Sequence, residues 1–241
     1  MSGLSRRQAL AGFGGVSLGA LLAACSDDDS PTARVETADG GTSTVEPKGA
    51  GDDLAARFDG AARCGQTAEQ TEGPYYFDVD SIRRDIREDR EGATLRLGVR
   101  VRDSAAGCEP VADAVVDIWH CDAGGSYSGF DGAEGETYLR GAQVTNRGGI
   151  AEFATIYPGW YPGRTVHIHA KVHLDRTTVL TTQLYFDDAV SDRVFRAEPY
   201  ASRGARDQLN TSDGIFDDSL LLTLEQSSDG YLGLMTFDVA A

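Results

Sequence analysis

Alternation of apolar and polar residues is the feature of this chain that most restricts its fold. Residues 95–102 alternate strictly, and a period of two is typical of a β-strand with one buried face. Segments of this kind recur, whereas the helical pattern is confined to a short stretch around residues 190–196. We therefore predict an all-β fold, an antiparallel β-sandwich of about seven or more strands with long loops. The other predicted strands are residues 112–120, 150–156, 166–174, 179–186, 219–224 and 231–239.

The first 25 residues have the features of an export signal. Arg6 and Arg7 form an arginine pair, and residues 11–24 are apolar and rich in glycine. This stretch is shorter than the about 20 residues that cross a bilayer as a helix, which predicts a cleaved signal peptide over residues 1–24. The arginine pair favours the twin-arginine route, but residues 8–10 match that signal incompletely and leave the Sec route open.

Cys25 follows a Leu-Ala-Ala sequence that matches a bacterial lipoprotein cleavage site. We therefore predict that Cys25 carries lipid; the alternative is a cysteine that happens to end an ordinary signal. Residues 25–55 are mostly small and polar, and cannot bury enough apolar surface to order themselves, so they predict a disordered tether. The expected product is an exported lipoprotein, anchored in the cell membrane and facing the extracellular side or the periplasm, with one folded domain over residues 56–241.

Charge and cysteine content restrict the partners and the covalent structure. The formal net charge is −16 at pH 7, and an acidic surface repels the phosphates of nucleic acid.

An exported chain is expected to form a disulfide. Cys108 and Cys121 flank one predicted strand about 30 Å long, which disfavours a bond between them. Cys64 therefore pairs with Cys108 or with Cys121, and both pairings remain open.

Residues 159–169 bring a tyrosine, an arginine and two of the chain's four histidines together. His167 and His169 lie two positions apart on a predicted strand, so both imidazoles leave the same face, with their roots roughly 6–7 Å apart. Tyr161 and Arg164 lie in the turn that leads into this strand. Histidines at this spacing are more often structural or at the surface, but with these neighbours they predict a metal site.

Two further segments carry tyrosines in tight turns. Residues 71–76 read Thr-Glu-Gly-Pro-Tyr-Tyr, and residues 122–127 form a glycine-rich turn that presents Tyr127. Together with residues 159–169, and in this order, the motifs resemble those of the intradiol ring-cleavage dioxygenases, which include the catechol, hydroxyquinol and protocatechuate dioxygenases. The resemblance runs from about residue 69 to residue 186. It implies a transthyretin-like sandwich and a catalytic domain over residues 56–241.

The resemblance also implies one non-haem Fe(III) per chain and assigns its ligands by position. Tyr127 and Tyr161 match the two tyrosine ligands, and His167 and His169 match the two histidine ligands. Ferric iron is a hard cation that favours anionic oxygen, and a phenol bound to it loses its proton. In the family, the tyrosine that Tyr161 matches also takes a proton from the incoming diol.

Two residues outside the ligand set carry roles that the resemblance implies. Arg164 matches the arginine beside the substrate, and Gln183 matches a glutamine behind the ligands. The implied reaction inserts both atoms of dioxygen into a catechol-type diol and gives a muconate-type diacid. The alternatives are a non-catalytic binding lipoprotein on the same sandwich, or a zinc or copper site on the same histidines. Binding alone requires none of these side chains, and two phenolates suit zinc or copper poorly.

Some assignments remain open. His120 and His173 are predicted not to bind metal, although His120 could contact the substrate. Tyr75 and Tyr76 are expected to form packing or pocket wall. Only Pro162 and Gly163 separate Tyr161 from Arg164, where protocatechuate dioxygenases carry a long insertion. We therefore expect a more open pocket, and the identity of the catechol and the oligomeric state stay undetermined.

The lipid assignment leads to a first prediction. Cys25→Ser should release the protein from membranes without changing its turnover, because the anchor lies about 30 residues before the predicted domain. Membrane sedimentation at low and high salt, with an activity assay of both fractions, measures this. A Cys25→Ser protein that still sediments with membranes at both salt concentrations would contradict the lipid anchor.

Overall fold

The computed structural model describes residues 19–21, 33–36, 42–45, 52–58, 64–79, 81–174 and 177–241. Cys25, Arg6, Arg7 and most of residues 1–55 lie outside these ranges, so the signal, the lipid anchor and the tether stay predictions. Strands β1 (Gly19–Leu21), β2 (Ala33–Glu36) and β3 (Thr42–Val45) pair in a small antiparallel sheet. None of the helices in the described ranges is long and apolar enough to cross a membrane.

Two larger sheets form the folded domain. The first has the order β10-β9-β6-β7 and is antiparallel throughout; the second has the order β11-β12-β4, with β5 and β8 also paired to β4. The strands are β4 (Thr94–Asp103), β5 (Glu109–Pro110), β6 (Val115–Trp119), β7 (Arg140–Val144), β8 (Ile150–Ile156), β9 (His167–Leu174), β10 (Thr177–Tyr185), β11 (Thr223–Ser227) and β12 (Gly230–Val239). The helices are α1 (Asp52–Ala55) and α2 (Asp188–Val194), and 3₁₀ turns occupy Ala56–Phe58, Ala201–Arg203, Asn210–Ser212 and Asp218–Leu220.

One continuous apolar core lies between these two sheets. Leu97 and Phe153 reach it from the second sheet, and Ile118 and Ile168 reach it from the first; all four side chains are fully buried. Each belongs to a segment that was predicted to be a strand. The predicted all-β sandwich is therefore confirmed.

Three details of the strand prediction were wrong. Residues 218–220 form a 3₁₀ turn because the Asp217 carboxylate accepts a hydrogen bond from the Ser219 backbone N–H at 2.9 Å, so β11 begins only at Thr223. Strand β7 was not predicted, because its Arg140 and Gln143 are polar yet buried. Strands β4 and β12 run parallel, although the rest of the two large sheets is antiparallel.

The first sheet has an apolar face and a polar face. Along β9, Ile168, Ala170 and Val172 enter the core, so His167, His169 and Lys171 leave the opposite face. Residues 64–79, which we call the strap, run beside this face. The strap is held at the edge of β10, where the Gln70 N–H donates to the Thr181 carbonyl at 2.8 Å and the Thr182 hydroxyl donates to the Ala68 carbonyl at 2.8 Å.

The beginning of the strap is fixed covalently and by a buried ion pair. Cys64 is bonded to Cys108, with 5.9 Å between their Cα atoms, whereas Cys121 is a free, buried thiol. Next to the disulfide, the Gly65 N–H donates to Asp238, whose carboxylate pairs with the buried Arg102 at 2.7 Å. The pairing that the sequence left open is thus resolved in favour of Cys108.

A helical turn covers the outer face of the second sheet. Leu54 in α1 and Phe58 in the following 3₁₀ turn pack against Ile150, Leu232 and Leu234. Leu54 is fully buried. The packed part of the chain therefore begins inside the segment that the sequence assigned to the tether, slightly before residue 56.

The disulfide generates the second prediction. Cys64→Ser should lower the free energy of unfolding by about 4 kcal/mol, the chain-entropy value for a closed loop of 44 residues. Urea unfolding with and without reductant measures it: reductant should shift the midpoint of the wild type but not that of Cys64→Ser. Cys121→Ala is the control, and its midpoint should remain sensitive to reductant. Equal sensitivity in Cys64→Ser would contradict the Cys64–Cys108 bond.

Candidate metal centre

Two imidazoles from β9 form the floor of the site. Because His167 and His169 alternate with core residues, both leave the polar face, and both are buried. Their Nε2 atoms are 3.1 Å apart. If two donor atoms each lie about 2.1 Å from one metal ion and make a right angle at that ion, they are about 3.0 Å apart. The observed spacing of the two nitrogens therefore suits a shared ion.

The surroundings of each imidazole restrict its orientation. His167 Nδ1 lies 2.7 Å from the Thr165 carbonyl, so Nδ1 carries the proton and Nε2 keeps its lone pair. His169 is stacked on Trp119, with ring centroids 4.9 Å apart and planes 5° apart. Gly73 of the strap also packs on His169: its φ is +72°, and a Cβ there would lie 3.2 Å from Cε1.

Two tyrosine hydroxyls converge on the imidazoles from different loops. Tyr161 Oη lies 3.1 Å from His167 Nε2, on the turn that precedes β9. The Tyr127 ring lies 5.7 Å from the ring of Tyr161 and 6.3 Å from that of His169. Tyr127 is buried, and its hydroxyl has no hydrogen-bond partner among the described residues. Such an orphaned hydroxyl is costly unless something else satisfies it.

Burial determines the protonation of these four groups. It lowers the pKa of His167 to about 3 and that of His169 well below its ordinary value, so both imidazoles are neutral. Burial raises the pKa of Tyr161 to about 12, against the opposing effect of Arg164, and raises the pKa of Tyr127 well above 10. Without a cation, both phenols would therefore keep their protons at neutral pH.

The donor set suits a ferric ion. It offers two neutral imidazole nitrogens, one buried hydroxyl without a partner and a second hydroxyl within 3.1 Å of a ligand nitrogen. A trivalent cation would ionise both phenols and satisfy the orphaned oxygen. A second cluster with ligand-type atoms in the described ranges consists of Cys64, Cys108 and Asp238, but its two cysteines are bonded to each other.

Arg164 lies beside the metal centre in a network of hydrogen bonds. Its Nε donates to Asp213 at 2.8 Å, and its Nη2 donates to the Gln183 side-chain oxygen at 2.6 Å and more weakly to the Tyr185 hydroxyl at 3.4 Å. Gln183 pairs with His169 across the two strands, and its amide donates to the Thr71 carbonyl of the strap at 2.9 Å. Gln183 therefore links the arginine, the histidine strand and the strap.

The remaining histidines lie apart from the four-ligand cluster. Both ring nitrogens of the fully buried His120 have partners, the Cys121 carbonyl at 2.8 Å and the Thr155 hydroxyl at 2.7 Å. Both ring nitrogens of His120 are thus occupied by partners within the protein. His173 lies near the far end of β9, where its Nδ1 is 3.0 Å from the Thr178 hydroxyl.

The strap tyrosines form the wall of the cluster. Tyr75 stacks on Tyr127, with ring centroids 4.4 Å apart, and meets Tyr161 edge-on at 6.1 Å. Tyr76 packs on Trp119 at 4.7 Å, and the Lys171 ammonium lies 3.5 Å from its ring centroid. Both tyrosines therefore hold ligand-bearing elements in place.

Three residues of the site were not predicted from the sequence. Asp213 holds Arg164, Tyr185 closes the network behind it, and Trp119 supports His169. Asp213 lies 49 residues after Arg164 in a segment without any recognisable pattern, so no local signal could have found it. Trp119 and Tyr185 lie on predicted strands, where their alternation with core residues placed them on the polar face.

Comparison with known proteins shows that this chain is similar to dioxygenases. A family model described as Dioxygenase matches residues 71–230. A chlorocatechol 1,2-dioxygenase from Rhodococcus opacus is 33% identical over 122 residues, which cover 42% of this chain and 47% of that enzyme. The chain thus spans about half the length of this curated relative.

Solved structures cover more of the chain. An intradiol ring-cleavage dioxygenase from Tetranychus urticae is 33% identical, with a TM-score of 0.70 over 73% of this chain and 95% of that one. The dioxygenase domain of a dioxygenase and carbohydrate-binding protein fusion from Streptomyces sp. SirexAA-E is 35% identical, with a TM-score of 0.57 over 73% of this chain and 100% of that domain. With the fold, the clustered tyrosines and histidines, and these matches, the chain belongs to the intradiol ring-cleavage dioxygenase family.

Proposed function

We propose that this protein is a non-haem ferric dioxygenase that cleaves a catechol-type diol between its two hydroxyl-bearing carbons. Both atoms of dioxygen enter the product, a muconate-type diacid, so that no other oxidant or reductant is needed. The observation that carries the proposal is the cluster of Tyr161 Oη, His167 Nε2 and His169 Nε2 at successive distances of 3.1 Å beside the orphaned Tyr127 hydroxyl. Relatives named for catechol and chlorocatechol support this substrate class.

Tyr127, Tyr161, His167 and His169 would hold a ferric ion, which would supply a Lewis-acidic site for the two oxygens of the deprotonated diol and activate the diol toward dioxygen. The four ligands differ in how firmly the fold holds them. His167 and His169 are fixed by β9, and Tyr127 is buried beneath Tyr75. Tyr161 lies on a turn and is only partly buried. Tyr161 is therefore the residue that would be displaced by the substrate, and its Oη would accept one of the two diol protons.

Arg164 would stabilise negative charge on the substrate. Its guanidinium is partly buried. Burial raises the pKa of Tyr161, and the positive charge of Arg164 opposes this effect by lowering it. A preorganised cation in a site that excludes water acts more strongly than it would in bulk solvent. Because the whole protein is acidic, with a net charge of −16, this local cation compensates for a surface that does not attract anions.

The proposal extends to the cell surface. Residues 5–25 carry the arginine pair, the apolar stretch and Cys25, which support export and lipid attachment. At that location the enzyme would act on catechols outside the cytoplasm.

The proposal is tested first by metal content and colour. Protein purified without residues 1–25 should contain about one iron per chain and be reddish, because charge transfer from phenolate to ferric iron absorbs visible light. Elemental analysis and an optical spectrum measure this, with oxygen uptake across a panel of catechols as the activity assay. Tyr127→Phe and Tyr161→Phe should each alter the resting spectrum. Colourless protein loaded with zinc, or no oxygen uptake with any catechol, would contradict the proposal.

A second test concerns Arg164. Arg164→Leu should keep its iron and still form the catechol-bound spectrum, whereas kcat should fall roughly 10²–10³-fold, the scale for losing one preorganised electrostatic contact. Single-turnover oxygen consumption, with substrate binding followed optically, separates the two effects. Arg196→Leu, which removes an exposed arginine outside the site network, is the matched control. Normal turnover, or loss of iron, in Arg164→Leu would remove this role from Arg164.

A further inference from the structure

The segment after α2 returns to the metal centre and packs on the turn that carries Tyr161 and Arg164. Three side chains of this segment contact the turn. Asp207 accepts from the Gly163 N–H at 3.1 Å, Asn210 accepts from the Thr165 hydroxyl at 2.6 Å, and Asp213 accepts from the Thr165 N–H at 2.9 Å. Of these three, Asp213 also contacts the guanidinium of Arg164.

The Asp213 carboxylate is buried and fully engaged. Its side chain is 2% exposed. One oxygen, Oδ2, accepts both Arg164 Nε at 2.8 Å and the Thr165 N–H at 2.9 Å, and Oδ1 accepts the Ile215 N–H at 3.1 Å. Burial alone would raise the pKa of Asp213, but the hydrogen bonds from Thr165 and Arg164 lower it below its ordinary value. The group is therefore an anion that cannot turn without breaking several bonds.

Asp213 and Gln183 hold the guanidinium at two points. Asp213 binds Nε, and Gln183 binds Nη2 at 2.6 Å. Because guanidinium is planar, two fixed nitrogens determine the direction of the third. Nη1 takes part in none of the hydrogen bonds between described residues, so its N–H groups are the donors left for a bound substrate.

We propose that Asp213 is a positioning residue that orients Arg164, so that Nη1 meets the negative charge that develops on the substrate. This inference rests on the proposed dioxygenase function. The proposal gives the Asp213 anion a geometric role. Without its bond to Asp213, Arg164 could turn toward solvent, and its contact with the substrate would have to form during the reaction rather than beforehand.

A purely structural role for Asp213 would have different consequences. The turn is held at two further points, at Gly163 by Asp207 and at Thr165 by Asn210. Loss of Asp213 therefore leaves the turn attached, but leaves Arg164 Nε without its partner. The expected defect is in kcat, through Arg164, and not in iron content or in KM.

A double-mutant cycle separates the two roles. Asp213→Ala should lower kcat about 10²-fold, the scale for misplacing a catalytic group, with KM changed less than about threefold. In the Arg164→Leu background, Asp213→Ala should change kcat by no more than about twofold, because the group that it positions is already absent. Asp218→Ala, which removes an exposed carboxylate from the same segment, is the control and should leave kcat unchanged. An equally large loss of kcat in both backgrounds would overturn the proposal.

Two further measurements exclude a folding defect, and the second of them does not depend on turnover. Asp213→Asn keeps an oxygen acceptor for Arg164 and Thr165 but sets its NH2 group against the Ile215 N–H, so its kcat should lie between those of the wild type and Asp213→Ala. Crystal structures of the wild type and Asp213→Ala should show the Arg164 guanidinium displaced from Gln183 in the variant. An unmoved guanidinium would overturn the positioning role, even if the wild type consumed no oxygen and the proposed function itself had failed.

Discussion

The alternation of side chains along β9 is the constraint on which the rest of the site depends. Ile168, Ala170 and Val172 must enter the core for the sandwich to be stable, and this fixes His167 and His169 on the opposite face. A shift of one residue in the pairing of β9 would bury the imidazoles among apolar side chains and expose the core residues. The free energy that stabilises the sandwich therefore also determines where the proposed metal ligands His167 and His169 lie.

A polar sheet face does not exclude water by itself. Here water is excluded by the segments that cover the face. The strap contributes Gly73 over His169 and Tyr75 over Tyr127. It is tied down by the Cys64–Cys108 disulfide at its start and by the Gln183 bond to Thr71 beside the site. Removal of water raises the cost of an unpaired buried phenol, and it equally strengthens the attraction between a phenolate and a cation. A covered face of this kind thus favours a bound metal ion.

The strands with strict alternation, such as β4 and β9, could be predicted from sequence because one face of each is apolar. Strand β7 could not, because Arg140 and Gln143 are buried polar residues whose partners lie elsewhere: Arg140 donates to Ser128, 12 residues earlier. The four residues that cluster here, Tyr127, Tyr161, His167 and His169, could be singled out because the motifs that carry them are local. Asp213 could not be found, because its relation to Arg164 arises only when a segment 49 residues later folds back onto the turn.

The four proposed ligands lie at different depths, and this asymmetry follows from the elements that carry them. A strand in the middle of a sheet has little freedom to move, so the two histidines act as the fixed part of the site. Tyr161 and Arg164 share one short turn, separated only by Pro162 and Gly163, and both are partly exposed. In the proposed reaction, a substrate that enters from solvent would therefore meet Tyr161 and Arg164 together. The same turn carries both residues and is braced from behind by the segment that carries Asp213.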